Sequence, residues 1–127
     1  MCDMPTLYSE RNVRARKQHR CCECRISIKP GDTYHRAEGL WDGSFQTFKT
    51  CTTCAEFRDW LARLMPSDDC GVTFGDLYQC ATDEWRDSRG KLSIGRKLVA
   101  LRRRNRQAVA AHAADRAALR EGDGHGL

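Results

Sequence analysis

The chain contains no apolar stretch approaching the roughly 20 residues of a membrane-spanning helix. Its opening, Met1-Cys2-Asp3-Met4-Pro5, starts no hydrophobic run of the kind that directs secretion. Both absences point to a soluble protein of a reducing cytoplasm, where cysteines are seldom disulfides. Apolar bulk is scarce as well: aromatic residues make up 8% against 31% charged, and mean hydropathy is −0.68. A chain of 127 residues with that balance folds as one domain around a small core, and small cores need a staple.

What the chain does have is cysteine, in two paired steps: Cys21-Cys22-Glu23-Cys24 and Cys51-Thr52-Thr53-Cys54. Two residues between thiols let one short turn present both sulfurs to one metal. Four thiolates from two such knuckles are the ligand set of a closed tetrahedral Zn²⁺ site. An iron–sulfur cluster also takes four thiolates, but knuckles bracketing a hairpin are the commoner zinc arrangement. Cys21, Cys22 and Cys24 allow two pairings. The Cys-x-x-Cys geometry favours Cys21 with Cys24 and leaves Cys22 as a packed thiol. His35, in a strand between the knuckles, reads as a solvent-facing or hydrogen-bonded residue. His19 could hydrogen-bond a thiolate. His112 has no nearby partner in the sequence, and Cys2, Cys70 and Cys80 have none at ligand spacing.

Residues 1–20 hold little apolar periodicity and read as a loosely packed basic arm. Ile26-Ser27-Ile28 alternates as a strand does, and Lys29-Pro30-Gly31-Asp32 is a turn. Thr33–Glu38 and Ser44–Lys49 read as two strands, with Asp42-Gly43 between them as a hairpin signal. After Cys54 the period changes: Phe57, Trp60, Leu61 and Leu64 mark one helix face that Pro66 ends, with Thr50 or Thr52 as its cap. Phe74, Leu77, Tyr78, Ala81 and Trp85 mark a second helix from about Thr73. A long third helix is expected from Ser93 to about Glu121, stopped by the glycines from Gly122 onward. Its apolar stripe is thin: Ile94, Leu98, Leu101, Ala108, Val109, His112 and Leu119. Such a helix packs on one side only, or pairs with a second copy.

Knuckle, hairpin, then a second knuckle opening a helix is the order of a treble-clef zinc finger. The stretch from Arg20 to Leu64 resembles PARP-type and LIM-type fingers through Cys21-x-x-Cys24, Ile28-x-x-Gly31, Tyr34, Trp41, Phe48 and Cys51-x-x-Cys54, though PARP-type fingers carry histidine where Cys51 stands. It is also similar to small bacteriophage and prophage proteins with a Cys-Cys-x-Cys start and a Trp-Asp-Gly-x-Phe-x-Thr-Phe hairpin. That resemblance implies a phage origin and the cytoplasm of a bacterial host, and no activity. The expected architecture is α+β: a treble-clef module over 20–66, a helical segment over 67–90, and a basic helix with a glycine-rich tail over 91–127, preceded by the arm at 1–19.

Charge is segregated. Residues 1–30 carry seven Arg/Lys against three Asp/Glu, residues 31–85 four against ten, and residues 86–127 eleven against four. Basic ends can meet nucleic acid or the chain's own acidic middle. The candidate nucleic-acid contacts are Arg14, Arg16 and Lys17 at one end, and Arg96, Lys97, Arg102, Arg103, Arg104 and Arg106 at the other. Phosphate contacts without sequence readout are expected, since few polar base-reading residues accompany the arginines. A protein partner is the other reading, with Trp41, Phe45, Asp42, Asp68 and Asp69 as contacts for a host nucleic-acid-handling complex, in the manner of an anti-CRISPR or anti-restriction factor. Catalysis is not expected. Four thiolates leave a zinc ion no open position. The histidine and helical Asn/His of an HNH nuclease have no counterpart either, since Cys51 to Leu64 holds neither residue type.

Overall fold

The computed structural model describes residues 7–65 and 72–125, with side chains through Leu119. Cys2, Cys70, Pro66, Asp68 and Asp69 lie outside the described residues. The architecture is α+β. Five strands, β1 (Tyr8–Arg14), β2 (His19–Arg20), β3 (Ser27–Ile28), β4 (Thr33–Trp41) and β5 (Ser44–Cys51), precede three helices, α1 (Thr52–Leu64), α2 (Leu77–Asp87) and α3 (Leu92–His125).

Three antiparallel strands form one sheet in the order β1-β4-β5, while β2 and β3 close a two-residue ladder around the first cysteine pair. The Asp42-Gly43 turn behaves as its residues dictate. Both take positive φ, 48° and 79°, as a two-residue hairpin turn requires. The Lys29–Asp32 turn likewise places Gly31 at φ 95°, with the Asp32 amide donating to the Lys29 carbonyl at 3.0 Å.

The described part of the expected arm is ordered from Tyr8 to Ala15. Tyr8–Arg14 pairs along its length with β4, and the next residue, Ala15, is buried. The Ala15 amide donates to the Asp32 carbonyl at 2.8 Å, and its own carbonyl accepts from Gly31 at 2.9 Å. Five of the first six β1 residues are exposed, so the strand is held by backbone hydrogen bonds that leave no apolar alternation to read.

Helix α1 turns Cys54, Phe57, Arg58 and Leu61 inward, so Arg58 takes a place on the buried face and Leu64, expected there, is exposed. Its N-cap is Cys51, with neither Thr50 nor Thr52 capping through its side chain. The Thr50 hydroxyl is instead occupied by Arg58, which donates to it at 3.2 Å. Helix α2 buries Leu77 and Ala81, and leaves Tyr78 and Trp85 partly exposed. Helix α3 buries Ile94, Leu101, Ala108 and His112, whereas Val109 and Leu119 face solvent. It runs through Gly122 and Gly124 to His125, past the stop expected of those glycines. Every side chain described beyond His112 is exposed, so the last turns of α3 project from the body of the domain.

The core gathers Ile28, Tyr34, Phe57, Leu61, Leu77, Ile94 and Leu101 around Cys21, Cys24 and Cys54. Complete burial of each aliphatic side chain is worth about 1.5–3 kcal/mol, so a core of this size leans on the cysteines at its centre. No helix among the described residues is long and apolar enough to cross a membrane.

Candidate metal centre

Cys21 and Cys24 stand on the turn between β2 and β3, closed by the Cys21 amide to the Ile26 carbonyl (2.9 Å) and the Arg25 amide to the Cys21 carbonyl (3.1 Å). Cys51 ends β5 and caps α1, and Cys54 lies on that helix's first turn. The cluster therefore sits where sheet meets helix. A hydrogen bond from the Cys22 amide to the Lys49 carbonyl (2.8 Å) fixes the first knuckle against β5.

The four Sγ atoms lie within 4.8 Å of one another, with Cys24 and Cys51 at 3.7 Å. A tetrahedral ion with metal–sulfur bonds of about 2.3 Å requires sulfur–sulfur edges of about 3.8 Å. Cys21, Cys24 and Cys54 are fully buried and Cys51 is half-buried. The group can hold a metal ion, and its donor set and spacing fit zinc. Charge makes the same point. Thiol donation from Cys24, then Cys51 and Cys54, pulls Cys21 far below the ordinary thiol range, and Cys51 and Cys54 are pushed up chiefly by that bond to Cys21. Four thiolates packed this closely need a cation to hold them together.

Other donors surround the sulfurs. The Glu23 amide points at Cys21 Sγ (3.4 Å), and Arg104 of α3 directs Nη2 at Cys54 Sγ (3.6 Å). Asn105 donates to the Cys24 carbonyl (3.4 Å), and His112 Nε2 donates to the Arg25 carbonyl (2.9 Å). Three polar contacts from one face of α3 thus close over the centre. Arg25 itself has φ 67°, a left-handed conformation forced by the tight turn after Cys24.

Cys22 is not among the four. Its Sγ contacts the Thr50 hydroxyl at 3.4 Å, and burial pushes its thiol up. Cys80 is a half-buried free thiol, also pushed up by burial. His35 pairs with Glu10 at 3.4 Å and contributes nothing to the cluster. His19 does not reach a thiolate: its Nδ1 accepts from Lys49 Nζ at 3.1 Å, because β2 turns the ring onto the sheet beside Tyr34.

The remaining candidate residues are distributed as follows. Arg96, Arg102, Arg103 and Arg106 are exposed on the outer side of α3, Arg14 is exposed at the end of β1, and Arg16 and Lys17 are exposed just after it. Two cations of the α3 group turn inward: Arg104 to Cys54, and Lys97 over the Trp60 ring at 4.8 Å. Trp41 packs edge-on against Tyr8, Phe48 and Phe74. Phe45 is 64% exposed, next to the turn that carries the exposed Asp42.

Spacing gave no sign of Glu23 and Arg58, which pair at 2.6 Å with the carboxylate 1% exposed. The signal for Arg104, Asn105 and His112 was available in their helical register with Leu101 and Ala108, all on one face of α3. No family model, no curated protein and no solved structure matches the chain.

Proposed function

We propose that this protein is a non-catalytic, zinc-stabilised module that presents one face of α3 to nucleic acid. The observation that carries the reading is the division of α3 into two faces. Its inner face is fastened to the cysteine cluster through Arg104, Asn105 and His112. Its outer face carries Arg96, Arg102, Arg103 and Arg106, all exposed. Among the described residues no ion pair engages these four: the pairs within 4.0 Å involve Arg11, His35, Arg36 and Arg58. A row of exposed arginines on one helix is suited to tracking phosphates, without the polar side chains that read bases.

Zn²⁺ held by Cys21, Cys24, Cys51 and Cys54 has a structural part in this reading. With four thiolates it has no open position for substrate, and its task is to fix the surface on which α3 rests. Electrophoretic shift on duplex and single-stranded DNA tests the reading. Zinc-loaded protein binds both, and Arg102→Glu/Arg103→Glu/Arg106→Glu binds neither.

A protein partner is the second reading, favoured by Phe45, whose ring stands 64% exposed near Asp42 at the hairpin tip. It predicts that Phe45→Ser/Asp42→Lys loses capture of a host complex while DNA binding is unchanged.

A further inference from the structure

The register of the three-stranded sheet makes Arg11 of β1, Arg36 of β4 and Lys49 of β5 successive cross-strand partners. Directly opposed residues of antiparallel strands project to the same face, and like charges so placed destabilise a sheet. Three cations thus stand side by side across the whole sheet. Glu38 pairs with Arg36 and reaches Arg11 at 4.0 Å. Among the described residues no carboxylate lies within ion-pair distance of Lys49. Its Nζ instead meets His19 Nδ1 at 3.1 Å, and the His19 ring leans on Tyr34 at 5.3 Å. Positive charge is concentrated here at a cost to folding, and one carboxylate offsets only part of it.

We propose that Arg36 and Lys49, flanked by Arg11 and His19, form a binding site for a phosphate group on this face of the sheet. Arginine supplies a planar fork and lysine a point charge, the pairing that phosphate oxygens accept best. Neighbouring strands lie about 5 Å apart, so long cationic side chains opposed across them can converge on one tetrahedral anion. The phosphate belongs to a nucleic-acid backbone or to a small phosphate compound. The site needs nothing from α3 and stands whether or not α3 meets nucleic acid.

Zinc-loaded protein is titrated with inorganic pyrophosphate and, separately, with a short single-stranded oligonucleotide, while amide and imidazole NMR signals are followed. Saturable shifts at Arg36, Lys49 and His19 are expected. Shifts with both probes show that phosphate alone suffices. Shifts with the oligonucleotide alone assign the site to a nucleic-acid backbone, and shifts with pyrophosphate alone assign it to a small phosphate compound. Lys49→Gln, folded by its spectrum, weakens binding by about tenfold or more, whereas Lys49→Arg keeps it. Absence of shifts at these residues with either probe overturns the proposal. So does an unchanged affinity in Lys49→Gln, or stronger displacement of the same signals by a glutamate-rich peptide.

Discussion

Glu23 and Arg58 form an ion pair 2.6 Å apart beside the four-cysteine group, with 1% and 9% of their side chains exposed. Glu23 stands between the cysteines of the first knuckle, and its second carboxylate oxygen accepts from the Leu77 amide at the start of α2 (3.4 Å). Arg58 reaches Thr50 and stacks over Phe74, 4.5 Å from the ring centre. One buried pair thereby joins the knuckle, the end of β5, α1 and the entry to α2.

Removing the carboxylate strands the guanidinium. Glu23→Gln is expected to cost about 3–5 kcal/mol, as breaking a buried pair from one side does. Chemical denaturation of the metal-loaded protein measures it. Glu23→Gln/Arg58→Met, which removes both charges, is expected to lose less than Glu23→Gln alone.

The cysteines divide into two classes. Cys24→Ser and Cys54→Ser are expected to abolish cooperative folding, since a small core depends on the metal for its stability. Cys22→Ser leaves folding and metal content intact, because its thiol meets only Thr50 in the wall of the site. Melting curves with metal analysis check both. A Cys24→Ser protein that melts cooperatively without metal contradicts the structural role.

Arg104 donates to Cys54 Sγ, and a divalent ion held by four thiolates would leave the centre with net negative charge. Arg104→Gln is expected to weaken metal retention by about ten- to a hundredfold, the usual range for outer hydrogen-bond partners. Competition with a chromophoric chelator reads it directly, and Arg103→Gln, on the exposed face, serves as the unaffected control.

Arg25 pays for the knuckle turn with φ 67°. A left-handed conformation costs a non-glycine residue about 1–2 kcal/mol, part of which glycine returns through its freer unfolded chain. Arg25→Gly is therefore expected to raise the melting temperature slightly, with the His112 contact to the residue's carbonyl retained. A lower melting temperature would show that the arginine side chain contributes more than its backbone costs.

The four-cysteine group and the hairpin were legible in the sequence because their signals are local: two-residue spacing between thiols, and Asp42-Gly43 in the turn. Strand β1 was not, since its residues are exposed and its pairing with β4 rests on backbone groups common to every residue. The Glu23–Arg58 pair joins positions distant in the chain, and nothing near either one announces the other. Arg104 and Lys97 were grouped with the outward arginines by composition. Their register with Leu101 and Ile94 places them on the inner side of α3. The same limitation hid the cation row on the sheet, which exists only in the register of three strands.

Fluorescence anisotropy of labelled duplex DNA against zinc-loaded protein over a range of salt tests the central claim most directly. Four exposed arginines on α3 predict that the logarithm of the binding constant falls with the logarithm of salt with a slope of about −3 to −4. In Arg102→Glu/Arg103→Glu/Arg106→Glu the slope collapses. No binding at about 50 mM salt, where phosphate contacts are strong, or a slope near zero, would contradict the account.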